Sequence, residues 1–82
     1  MIQYYFHLST MADELIKDEE GSDFADLNAA REEALMAARE LVADAVQSGR
    51  ELTTDAIVIE DADGHELDRV RLLAVLPRSI GG

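Results

Sequence analysis

This chain has 82 residues, which is enough for one domain with a small core. It carries 7 basic and 18 acidic residues, and the resulting net charge of −11 disfavours binding to nucleic acid or to anionic membrane surfaces. It contains no cysteine, so disulfides and thiolate metal sites are excluded.

The first predicted elements are two β-strands. The segment Ile2–Leu8, with sequence IQYYFHL, is rich in β-forming residues, and its alternate side chains would share one face. The apolar face would hold Ile2, Tyr4, Phe6 and Leu8. His7 is then expected to face solvent or the uncovered side of the sheet, beside Tyr5. A shorter strand is predicted at Glu14–Asp18.

A single long helix is predicted from Asp26 to about Ser48, where Pro and Gly are absent and Ala, Leu and Glu are frequent. Asp26 has a side chain suited to the N-cap, and Gly49 suits the left-handed residue that ends a helix. At about 100° per residue, one side of the helix holds Leu27, Ala30, Ala34, Ala38, Leu41 and Ala45. Further apolar residues widen this arc along one edge, namely Leu35, Val42 and Val46.

Two more strands are predicted after the helix, joined by a tight turn. Asp55–Asp61 is β-branched and apolar at its centre, Asp61–Gly64 has the composition of a turn, and His65–Leu73 returns. Leu67 falls out of phase with the apolar residues that follow it, so a bulge is expected near Asp68.

These elements predict an α+β fold with the order ββαββ, in which a small antiparallel sheet carries one long amphipathic helix packed on one face. Residues 1–76 would form the single domain and residues 77–82 a flexible C-terminal tail. The longest apolar runs, such as Leu72–Leu76, are far shorter than the roughly 20 residues that span a bilayer. No signal peptide is evident, and we expect a cytoplasmic protein.

The predicted helix is longer than the sheet beneath it. A helix of about 22 residues spans roughly 33 Å, whereas strands of about seven residues span roughly 20 Å. The excess apolar edge at Leu35, Val42 and Val46 would be covered either by the tail or by a second copy of the chain. A homodimer is favoured, because two-fold pairs are the commonest oligomers and a small core gains most from added burial.

The acidic segment Lys17–Phe24, with sequence KDEEGSDF, allows three interpretations. It could bind a hard cation, contact a basic partner, or form the bend before the helix. A calcium loop needs a carboxylate six residues after its glycine, and that position after Gly21 is Leu27, so no metal is expected. Asp18 and Glu19 are the candidates for contact with a basic partner.

Other chemically suggestive groups also fit structural roles. Asp61–Glu66, with sequence DADGHE, could gather around a cation, but a turn accounts for its Asp and Gly residues. Neither His7 nor His65 lies in a local catalytic motif, and no phosphate-binding loop or hydrolase motif occurs. We therefore expect no cofactor and no enzymatic activity.

Arg31 lies inside the apolar arc of the predicted helix. An unpaired buried guanidinium would be costly, so we expect this side chain to extend to water or to pair with Asp18 or Glu19. A role in binding an anion is the alternative.

The sequence ends with Gly81 and Gly82. A ββαββ order followed by a terminal diglycine resembles ubiquitin-like and sulfur-carrier proteins, whose tail is adenylated at the terminal carboxylate. That resemblance implies a carrier function as an alternative.

Three motifs point to one family. They are D-E-x-G, matched at Asp18, Glu19 and Gly21; D-L-x-A-A-R-x-E-A, matched from Asp26 to Ala34; and I-x-D-x-D-G…L, matched from Ile59 to Leu67. Together with the strand YYFHL they resemble a domain of unknown function that is common in rhizobia and related alphaproteobacteria, and this resemblance implies no activity. The passage from strands through an acidic Gly step into a helix also resembles HicB-type antitoxins, which implies a small basic protein as partner.

The function that these observations favour is a small acidic bacterial protein-interaction module without enzymatic activity. Its expected partner is a second copy of itself, with a basic protein as the alternative. The candidate interaction residues are Arg31, Leu35, Val42, Val46, Asp18 and Glu19.

Overall fold

The computed structural model describes residues 1–75 of the chain. Five strands and one long helix follow in the order β1 Ile2–Thr10, β2 Leu15–Ile16, β3 Ser22–Phe24, α1 Leu27–Ser48, β4 Thr54–Glu60 and β5 Glu66–Arg71. A 3₁₀ turn at Leu72–Val75 follows β5. The predicted α+β arrangement of an antiparallel sheet with one long helix is confirmed.

The strands form one antiparallel sheet in the order β2-β1-β4-β5, and β3 also pairs with β1. β2 pairs with Leu8 and Ser9 near the end of β1, whereas β3 pairs with Ile2–Tyr4 at its beginning. The sequence predicts only two strands before the helix, and β3 is the one it misses. This strand has three residues and its sequence, SDF, contains only one apolar side chain, so it carries no alternating pattern.

Both ends of α1 lie where the sequence places them. The Asp26 side chain accepts a hydrogen bond from the Ala29 N–H at 2.8 Å, and Gly49 adopts a left-handed φ of 67°. Three alanines one turn apart are fully buried, namely Ala30, Ala34 and Ala38. Because their side chains are small, the helix backbone approaches β4 and β5 closely, and it packs mainly on these two strands.

The core between helix and sheet is built chiefly by Ile57, Ile59 and Leu72, with Tyr4 and Phe24 in ring contact near the start of α1. Within residues 1–75, no helix is long and apolar enough to cross a membrane.

The last strand departs from the predicted one in its length. Leu67 is the extra residue of a bulge, since Asp68 pairs with Ile59 while Glu66 pairs with Glu60, and this is the irregularity expected near Asp68. The strand ends at Arg71, where the chain turns into the 3₁₀ segment instead of continuing to Leu73. The tail predicted at 77–82, with Gly81 and Gly82, lies outside the described residues.

The N-cap gives a direct test of the helix. Asp26→Ala removes the acceptor for the Ala29 N–H and should lower the free energy of unfolding by about 1 kcal/mol. Urea denaturation followed by far-UV circular dichroism measures this loss. Glu33→Ala, an exposed position of the same helix, is the control and should stay within about 0.5 kcal/mol of the wild type. Equal stability of the two variants would contradict the capping role.

Candidate functional site

The acidic segment between β2 and β3 is organised around the carboxylate of Asp18. Its oxygens accept hydrogen bonds from the backbone N–H groups of Phe6 at 3.1 Å, Glu20 at 3.2 Å and Gly21 at 3.2 Å. Partial burial alone would raise the pKa of Asp18, but the bonds from Gly21, Phe6 and Glu20 outweigh it and lower the pKa below its usual value. Phe6 lies in the part of β1 that pairs with neither β2 nor β3. The Asp18 carboxylate therefore supplies the hydrogen-bond acceptor that the backbone of a neighbouring strand would otherwise provide there.

Gly21 closes this bend in a conformation that favours glycine. Its φ is 72°, and a Cβ atom at this position would lie 2.9 Å from Cε2 of Tyr5. The segment KDEEGSDF is thus a bend in which one carboxylate turns inward, as the structural interpretation of its sequence expects.

His7 is buried on the side of the sheet that α1 does not cover, beside the ring of Tyr5. Its Nδ1 accepts the Asp18 N–H at 3.0 Å, so the proton of the neutral ring lies on Nε2, which donates to Glu60 Oε1 at 3.0 Å. Both ring nitrogens are therefore engaged in holding β1, the acidic bend and the end of β4 together.

The sequence does not predict this network. His7 is expected on the uncovered side of the sheet, which is correct, but not to be buried there. Glu60 lies 53 residues away, and no local spacing connects the two. The register of β1 with β4, which sets Tyr5 opposite Glu60, brings them together.

Arg31 extends toward water and pairs with Asp68 at 2.7 Å, so it meets the first of the two expectations from the sequence and not the pairing with Asp18 or Glu19. The reason is topological, since α1 packs on β4 and β5 whereas the acidic bend lies at the far side of β1. The Arg31 side chain is largely exposed, so this ion pair adds little to stability. It connects the first turns of the helix to the bulge in β5.

In the turn between β4 and β5, the carboxylate of Asp61 accepts hydrogen bonds from the backbone. One carboxylate oxygen accepts from the N–H groups of Asp63 and His65, both at 2.9 Å, and the other lies 3.3 Å from Nδ1 of His65. The bond from the backbone N–H of His65 is the main reason why the pKa of Asp61 is lowered. Ligand atoms of Asp61, Asp63 and His65 approach within 4.8 Å of one another, and the turn accounts for this arrangement.

The apolar edge of α1 is only partly covered by its own chain. Leu35 and Val42 are half-buried against the core, whereas Val46 is 75% exposed. Of the two acidic candidates, Asp18 points inward and Glu19 is exposed.

A second apolar surface lies on the opposite edge of α1, where the helix does not reach β1. This groove, called here the α1–β1 groove, is lined by Phe6, Leu8, Ala37, Glu40, Leu41, Asp44 and Ile57. The sequence does not predict this groove, because its position depends on which strands the helix covers.

Asp18 gives a pH-dependent test. Asp18→Asn replaces the charged acceptor of the three backbone N–H groups with a neutral amide, which weakens these hydrogen bonds. At pH 7 the variant should be less stable than the wild type by about 1–2 kcal/mol. Since the folded pKa lies below the ordinary 3.8, this contribution is fully present above that value and is lost as the pH falls through the lowered pKa. The difference in unfolding free energy between wild type and Asp18→Asn should therefore shrink in acid. Urea titrations at several pH values measure it, with Glu19→Gln as the control. A difference that stays constant in acid would contradict this role.

Comparison with known proteins identifies a family and no activity. No curated protein and no solved structure matches this chain. The family model described as Domain of unknown function (DUF6894) matches residues 3–74, from β1 into the final 3₁₀ turn. The chain therefore belongs to the DUF6894 family of domains of unknown function.

Proposed function

We propose that this chain is a cytoplasmic bacterial protein-interaction module without enzymatic activity, and that it acts as a homodimer through one edge of α1. The observation that carries the proposal is the exposed apolar edge of the helix, where Val46 is 75% exposed. Burying this exposed apolar surface against another molecule would be favourable in free energy, because it removes the surface from water.

The exposed edge continues as a line along the helix. Its residues are spaced alternately by four and three positions along the chain, and this average spacing of about 3.5 residues is typical of helix–helix contacts. The residues of this line, called here the helix seam, are Asn28, Glu32, Leu35, Arg39, Val42 and Val46.

Charge favours the helix seam as the contact between two acidic copies. Each copy has a net charge of −11, so two copies repel each other least where the contacting surfaces carry equal numbers of positive and negative charges. The seam holds one acid and one base, Glu32 and Arg39, which are both exposed. In an antiparallel two-fold pairing centred at Ala37, Leu35 packs against the stem of Arg39 of the partner subunit. Glu32 then lies about 4.5 Å along the axis from that same arginine.

The edge of the sheet is a less suitable contact. Within residues 1–75, β5 is the strand at one edge, and it carries the bulge at Leu67 together with Arg69 and Arg71. Bulges and charged side chains on edge strands oppose pairing with another strand. The helix seam has no bulge, and its two charged residues, Glu32 and Arg39, are of opposite sign.

The polar groups support a role without catalysis. His7 uses both ring nitrogens in the fold, and the carboxylates of Asp18 and Asp61 accept backbone N–H groups. Each of these side chains is already bonded within its own chain, and the role this supports is structural.

Light scattering and sedimentation test the proposal. The monomer has a mass of 9.0 kDa, and we expect the average mass to rise toward twice this value as concentration increases. Val46→Glu should shift the equilibrium to monomer. Glu32→Arg and Arg39→Glu should each weaken the dimer about tenfold, since each dimer contains two such pairs worth about 0.7 kcal/mol apiece.

The double variant Glu32→Arg, Arg39→Glu restores opposite charges and should recover most of the dimer affinity. Glu33→Arg is the matched control on another side of the helix and should leave that affinity unchanged within twofold. Circular dichroism confirms that each variant is folded. A wild-type mass of 9.0 kDa at all concentrations up to about 1 mM, where a contact of only 4 kcal/mol would be half formed, would overturn the homodimer.

A further inference from the structure

The face of the sheet beneath α1 is wider than one helix can cover. Four strands about 4.8 Å apart make a sheet about 19 Å wide, whereas a helix with its side chains is about 10 Å across. Because α1 lies over β4 and β5, it leaves part of the β1–β2 half open on this face, where Tyr4 is buried but Phe6 and Leu8 are only half-buried. Two-layer domains bury such a face beneath a second element.

The open half is apolar toward the second half of the helix. Phe6 and Leu8 of β1 and Ile57 of β4 line the α1–β1 groove on the sheet side, and Leu41 lines it on the helix side. Ile16 pairs with Leu8 across β1 and β2, so it lies on the same face, and it is 56% exposed. These residues together form a continuous apolar strip from α1 to β2.

The charged residues along this groove are acidic. Glu40 and Asp44 lie one turn apart on α1, and among the residues that line the groove no Lys or Arg occurs. The net charge of −11 on the whole domain adds to the negative field at this position.

We infer that the α1–β1 groove binds a basic amphipathic helix of another protein, which completes the helical layer over β1 and β2. This deepens the proposed function, since it presupposes that the domain is an interaction module. Apolar side chains of the partner at i, i+3 and i+4 would pack on Leu8, Ile16 and Leu41. Lys or Arg on the flank of that helix would face Glu40 and Asp44.

A second copy of this chain is the less suitable occupant of the groove. Its long helix, α1, carries Glu33, Glu40 and Asp44 on exposed positions, and like charges across an interface are repulsive. The balanced charges of the helix seam suit self-association, whereas the acidic groove suits a basic partner. The two surfaces lie on opposite edges of α1, so both contacts can form together.

The probe for this inference is a synthetic 18-residue peptide with Leu at helical i, i+3, i+4 and i+7 positions and Lys elsewhere. Fluorescence anisotropy measures its binding to the 82-residue protein at 50 and 300 mM NaCl. The double variant Glu40→Lys, Asp44→Lys should raise the Kd at least tenfold, and Ile16→Ser at least threefold. Affinity should also fall with added salt.

Glu19→Lys with Glu20→Lys is the matched control, because it makes the same change of charge at exposed positions of the acidic bend. It should leave the Kd within about twofold, since its charges lie away from the groove. An equal loss of affinity in both double variants would show a general attraction between opposite charges and would overturn the inference. A scrambled peptide of the same composition that binds equally well would also overturn it.

Amide chemical shifts in ¹⁵N-labelled protein locate the bound peptide. We expect shifts concentrated at Leu8, Ile16 and Leu41, and shifts confined to the helix seam or the acidic bend would overturn the inference.

The masses of the groove variants separate this inference from the homodimer. A dimer that persists while peptide binding is absent removes only the groove partner. Loss of the dimer in the groove variants would show that the second copy occupies the groove, which also overturns the inference.

Discussion

Close packing of α1 on the sheet is the contact on which the other features depend. Ala30, Ala34 and Ala38 are fully buried along the middle of that contact, and their small side chains let the helix approach β4 and β5. A contact made of alanines is also narrow, so the larger apolar residues on either side of it remain partly exposed. The helix seam and the α1–β1 groove are the two edges of this one contact.

Within residues 1–75, the other face of the sheet carries no helix and is stabilised by hydrogen bonds. His7, Asp18 and Glu60 form hydrogen bonds that connect three separate segments of chain, and every buried side-chain polar atom of the described residues has a partner. Buried polar groups are tolerated when each is satisfied, and removing one partner leaves the others unpaired. The network therefore fixes the position of the acidic bend, from which β3 leads directly to the N-cap of α1.

Local sequence patterns predict the parts of this fold that local interactions determine. Asp26 and Gly49 mark the helix ends because capping involves only neighbouring residues. The short strand β3 and the pairing of Arg31 with Asp68 depend on which segments meet in space, and no local spacing contains that information. The groove is missed for the same reason, since an apolar arc on a helix does not reveal which strands lie beneath it.

Because charge is distributed unevenly around α1, we expect the contacts proposed for its two edges to respond differently to ionic strength. At the helix seam, Glu32 and Arg39 carry opposite charges while two whole domains repel each other, so screening by salt would reduce the long-range repulsion and favour the proposed self-association. At the groove, Glu40 and Asp44 would attract the proposed basic partner, so the same screening would weaken its binding. A single narrow helix contact thus separates an edge suited to a second acidic copy from an edge suited to a basic protein.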